Sequence, residues 1–115
     1  MIDWKRVEEL RSEIGADGFV EVADMFLDEA GQAVQALVTG LPEGEIEAQL
    51  HFLKGSALNL GFAELASLCQ DGERKAAAGY GSVIDTARIA ALYHASRALL
   101  IAGMADGRLR EGTAA

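Results

Sequence analysis

An all-α fold is expected from three features of this chain. It contains a single proline, Pro42. It has no β-branched run with two-residue alternation. Its apolar residues recur three and four positions apart, in segments separated by glycine.

Asp3 is placed as the N-cap of a short first helix, with Ile2 before it and Val7 four residues beyond, the pattern of a hydrophobic staple. Trp4, Val7, Leu10 and Ile14 form its apolar stripe, and Gly15 closes it. Asp17 is expected to cap the second helix. Its buried face reads Phe19, Ala23, Phe26, Ala30, Ala33 and Leu37, until Thr39-Gly40-Leu41-Pro42 breaks it. A third helix starts near Pro42 or Glu43 and carries Ile46, Leu50, Leu53, Ala57 and Leu60, the alternating spacing of a bundle seam. Gly61 is its expected C-cap. The fourth helix buries Phe62, Leu65, Leu68, Cys69 and Ala76 and ends at Gly79 or Gly81. The fifth runs from about Ser82 to Ala102, with Ile84, Ala87, Ala91, His94, Ala98 and Ile101 in near-heptad steps. Short connections make sequential helices antiparallel. The expected architecture is an up-down-up-down four-helix bundle with the short first helix over one end. One domain spans residues 1–115, with an ordered core of about 3–102 and a frayed tail over 103–115.

Composition narrows the function classes. Half of the 115 residues are hydrophobic, enough for a core without staples. The single cysteine excludes an intramolecular disulfide, and no Cys/His cluster has zinc spacing, so neither metal nor other cofactor is expected. No apolar run approaches the roughly 18 residues that would span a membrane. The charged N-terminal stretch lacks the apolar region of a signal peptide, and a cytoplasmic protein is the expectation. A net charge of -8 argues against nucleic acid, whose phosphates require a basic face. No P-loop is present, so self-phosphorylation from ATP is not expected.

The chemistry concentrates in "HFLKGSALNLG", residues 51–61. At about 100° per residue, His51 falls one step off the buried stripe of the third helix. Its neighbours on that shoulder are Glu47, Lys54 and Gly55. A glycine inside a helix costs roughly 1 kcal/mol relative to alanine, so Gly55 marks a close approach, by a partner or by another helix. The other histidine, His94, lies on the seam of the fifth helix without such neighbours and reads as a core or boundary residue. Cys69 reads as a small buried hydrophobe, and the spacing of the aromatic residues marks core.

Together with "LASLCQDGE" on the fourth helix and "FVEVADMFLDEA" on the second, this stretch resembles the histidine-containing phosphotransfer (HPt) domain of two-component phosphorelays. The likeness covers roughly Asp3 to Ala102. The resemblance implies a phosphocarrier rather than an enzyme. His51 would attack the aspartyl phosphate of a receiver domain and pass the group on, with Lys54 offering a cation to the phosphoryl oxygens. Gly55 would leave room for the receiver's loops, and Leu58 would add apolar contact beside second-helix residues. Glu73 matches a position that hydrogen-bonds the histidine Nδ1, against the alternative of a solvated carboxylate, and Gln70 and Glu47 would border the site. Mg²⁺ would belong to the receiver. Gly72 departs from the family's common leucine and is expected to loosen the fourth helix beneath the site.

The partners implied are response-regulator receivers and, as a further candidate, a hybrid histidine kinase. A monomer is expected, although some related phosphotransfer proteins dimerise through helices. Two other functions remain open on sequence alone. One is an HPt-like bundle that binds a receiver or kinase without carrying phosphate. The other, a small helical metal enzyme using His51 and carboxylates, lacks the E-x-x-H or H-E-x-x-H pairs such sites use.

Overall fold

The computed structural model describes residues 1–105. Five helices follow in order: α1 (Trp4–Ile14), α2 (Ala16–Thr39), α3 (Glu43–Asn59), α4 (Ala63–Ala77) and α5 (Thr86–Ala105), with a single 3₁₀ turn at Gly81–Val83. Among the described residues the one extended pairing is an isolated antiparallel bridge between Ile2 and Phe62. No described helix is long and apolar enough to cross a membrane.

Helices α2, α3, α4 and α5 each pack against the next, and α5 returns to α2. The space they enclose is filled by Ala23, Ala30, Val34 and Leu37 of α2, Leu50, Leu53 and Ala57 of α3, Leu65 and Cys69 of α4, and Ile89 and Leu100 of α5. Burial of such side chains stabilises by about 1.5–3 kcal/mol for each large one, and the alanines let the helices approach. The third-helix seam is as expected: Leu50, Leu53, Ala57 and Leu60 are buried and Ile46 packs against them.

Helix α1 packs against α2 and α3. The Asp3 side chain caps it by accepting from the Arg6 N–H at 3.3 Å, and its own N–H donates to the Gly61 carbonyl. Val7 and Leu10 are buried, whereas Ile14 is exposed beside the closing Gly15. Asp17 does not cap α2. Gly15 holds that place without a side-chain bond, and Asp17 lies within the first turn. Helix α3 ends in a Schellman motif: Phe62 N–H donates to the Ala57 carbonyl at 2.8 Å and Gly61 N–H to that of Leu58. Gly61 has φ +74°, and a Cβ there would lie 2.6 Å from the Asp3 carbonyl. Gly79 closes α4 in the same manner, with φ +88°.

The fifth helix differs most from expectation. Ser82 belongs to the 3₁₀ turn, and α5 begins after Asp85, whose carboxylate accepts from the Arg88 N–H at 3.0 Å. Its buried side is Ile89, Tyr93, Ser96 and Leu100. Ala87, Ala91, His94, Ala98 and Ile101, the expected seam, are exposed. Apolar residues surround this helix on every side, so a heptad pattern can be traced along either face. The helix continues to Ala105, three residues past the expected end, with Gly103 buried. The rest of the expected tail lies outside the described residues. Two aromatic residues also leave the core: Phe52 and Tyr80 are exposed.

Candidate functional site

The shoulder of α3 faces solvent, and His51 stands on it with 71% of its side chain exposed. Its Nδ1 lies 3.1 Å from Glu73 Oε2. Glu73, on α4, is largely covered and also holds the Lys54 ammonium, 2.9 Å from Oε1. Lys54 in turn donates to the Gln70 Oε1 at 2.8 Å. Four of the residues singled out in the sequence thus form one connected cluster across α3 and α4. Burial acts to raise the Glu73 carboxyl, but the Lys54 ammonium and the His51 ring outweigh it and hold the group below its ordinary value.

Gly72 is what lets the two helices come this close. It is buried in an unbroken α4, and the space of its missing Cβ is taken by Leu50, whose Cδ1 would lie 2.9 Å from that atom. The expected loosening is therefore replaced by tighter packing, because the smaller residue on α4 receives the larger one on α3. Cys69 is buried on the same helix, and burial, with the Glu73 charge adding to it, pushes its thiol up to about 12. It is an inert packing group.

Gly55 has open space where a Cβ would stand, with no atom within 4 Å. Helix–helix packing does not account for it. Its carbonyl accepts from Asn59 Nδ2 at 3.0 Å, which satisfies the helix backbone without filling the space. Leu58 is 54% exposed one turn further on, and Glu47 is exposed on the other side of His51. His51, Gly55 and Leu58 therefore make a continuous strip on the outer face of α3.

Sequence reasoning misses two neighbours of this strip. Phe52, beside His51, is 47% exposed. An aromatic residue is usually core, but one step of 100° past His51 is the signal against that here. The other is α1. Arg6 donates to Asn59 Oδ1 at 3.2 Å, and Asp3, Arg6 and Glu9 line a cleft of about 280 Å³ with Leu58. The strip is thus bordered at one end by α1, where only second-helix residues are expected from the sequence. His94 lies elsewhere, exposed on α5, with its ring edge-on to Tyr93 at 5.2 Å. The core or boundary position expected for it is not the one it takes.

Among the described residues, no three His, Cys, Asp or Glu side chains converge as metal ligands would. No curated relative and no solved structure matches the chain. The family model of the Hpt domain matches residues 21–105, nearly three quarters of the sequence, and leaves α1 outside. With that match over α2 to α5, the chain belongs to the Hpt domain family, whose members carry phosphoryl groups in two-component phosphorelays.

Proposed function

We propose that this chain is a phosphorelay intermediate that takes a phosphoryl group from the aspartyl phosphate of one receiver domain onto His51 and hands it to another receiver. The observation that carries this reading is the pairing of His51 Nδ1 with Glu73 at 3.1 Å on a ring that is otherwise exposed. A carboxylate that accepts from Nδ1–H fixes the tautomer and leaves the lone pair on Nε2. That pair attacks phosphorus in line. The P–O bond to the receiver's aspartate breaks, its electrons leave with the carboxylate, and an N–P bond forms. Nδ1 keeps its proton, and Glu73 faces the positive charge that the ring acquires. The reverse sequence delivers the group to the next aspartate.

Lys54 serves this site first through Glu73, which it keeps ionised and aimed at Nδ1. It reaches phosphoryl oxygens by releasing Gln70 or Glu73. Mg²⁺ and the remaining catalytic groups come from the receiver, so the chain is a carrier and not an enzyme. The receiver docks on the strip of His51, Gly55 and Leu58, flanked by Phe52, Glu47 and Gln70. The ring of packing among α2, α3, α4 and α5 supports an up-down-up-down order within one module. Such a carrier works in the cytoplasm, alongside its receivers.

Mixing the protein with a phosphorylated receiver tests the proposal. Label is expected on this chain, lost in acid and kept in base as an N–P bond requires. Stable binding to the receiver with no label transferred would point instead to the regulator that carries no phosphate.

A further inference from the structure

Helix α5 has more apolar surface than the bundle uses. Opposite its buried side, Ala87, Ala91, His94, Ala98, Ile101 and Ala102 are exposed along about four turns without one charged side chain. Ile101 on this face is 41% exposed, and Leu99, to one side of it, is 47% exposed. In a chain with 24% charged residues, an outer helix face of this kind is not built for water. A helix whose outer face as well as its core face is apolar is normally covered on both.

We propose that this face of α5 pairs with the same face of a second copy, making the protein a homodimer. The edges of the face are self-complementary. On one side a groove of about 720 Å³ between α2 and α5 is lined by Glu21, Asp24 and Asp28, with Arg97 across from them. On the other, a groove of about 300 Å³ holds Glu64 and Arg88. A second α5 laid along the strip brings its own Arg88 and Arg97 to these carboxylates, and the relation is mutual, as an isologous contact requires. The alanines allow the two helix axes to approach to about 8 Å. The strip is about 22 Å long, the length of some four helical turns. Helices α3 and α5 are not neighbours in the ring of packing, and His51 stands on the outer shoulder of α3, clear of this contact. The dimer offers two carrier sites at once. None of this depends on whether His51 accepts phosphate.

Sedimentation velocity from about 1 µM to about 1 mM, the range in which modest complexes titrate, tests the proposal. The wild-type chain is expected to shift from one mass to twice that mass. Ala98→Glu and Ala91→Glu, both at exposed helical positions, are expected to keep their helical CD signal and stay monomeric throughout. Arg97→Glu is expected to weaken the dimer at least tenfold. A wild-type monomer at the highest concentration overturns the proposal, as does a dimer that both glutamate variants leave intact. Residues 106–115 include Arg108 and Arg110. A monomer that dimerises only when they are removed would mean that they cover the face instead, which also overturns it. Phosphate uptake by the monomeric Ala98→Glu variant, measured alongside, keeps this outcome separate from the fate of the carrier reading.

Discussion

Glu73 is the residue on which the site's electrostatics turn, because its two oxygens serve two different partners. His51 takes one and Lys54 the other. Its carboxyl is held below its ordinary value, so its contribution to stability is complete above the unfolded carboxylate pKa of about 4.3 and is lost as pH falls through the lower folded value. Glu73→Gln is therefore expected to be less stable than wild type at pH 7 by about 1 kcal/mol, a modest figure because water screens a pair at the rim of two helices. Thermal melts from pH 7 to pH 2 should show that difference vanish in the acid range. A difference that persists at pH 2 would assign it to packing. Lys54→Ala is expected to slow transfer severalfold, with a much smaller effect when Glu73 is already Gln, since Lys54 acts through that carboxylate. Equal losses in the two backgrounds would place the ammonium directly on the phosphoryl group. His51, Lys54 and Glu73 are legible in the sequence as candidates, but the engagement of Lys54 by Gln70 is not. That contact spans two helices, and no spacing within one helix encodes it.

Among the elements, α3 is the most legible and α5 the least, and the reason is the contrast between their faces. Helix α3 has one apolar seam and one shoulder bearing His51, Lys54 and Gly55, so its orientation is fixed by the sequence alone. Helix α5 has apolar residues all round, and the face occupied by Ile89, Tyr93, Ser96 and Leu100 is chosen by its neighbours. Tyr93 shows how: its hydroxyl donates to the Leu27 carbonyl at 2.7 Å, close beside Gly31. The α2 and α5 faces thus select each other through partners 66 residues apart in the chain. The turn between α3 and α4 is readable because its requirement is local. Gly61→Ala is expected to cost about 2 kcal/mol or more, since a side chain there has both a left-handed backbone and the Asp3 carbonyl against it. Chemical denaturation measures this directly. A loss below about 0.5 kcal/mol would show that α1 does not sit against that corner.

At the scale of the whole molecule, the fold presents one imidazole on a rigid shoulder and leaves room above it. The buried Gly72 and the open Gly55 do complementary things: Gly72 closes α3 onto α4 beneath the histidine, and Gly55 keeps the approach to it clear. Both glycines stand out in the sequence, yet the effect of the buried one cannot be read there, because whether a missing Cβ loosens or tightens depends on what fills its space. Gly55→Gln is expected to fold with unchanged helical CD and to slow transfer from a receiver at least tenfold. Unchanged transfer would move the docking face elsewhere. The central claim is that His51 alone carries the phosphoryl group, and His94 is the demanding control, since it too is exposed. The most direct measurement is label uptake from a phosphorylated receiver by wild type, His51→Gln and His94→Gln, with folding checked by CD. Full uptake is predicted for wild type and His94→Gln, and none for a folded His51→Gln. Label retained by His51→Gln, or lost only in His94→Gln, would contradict the claim.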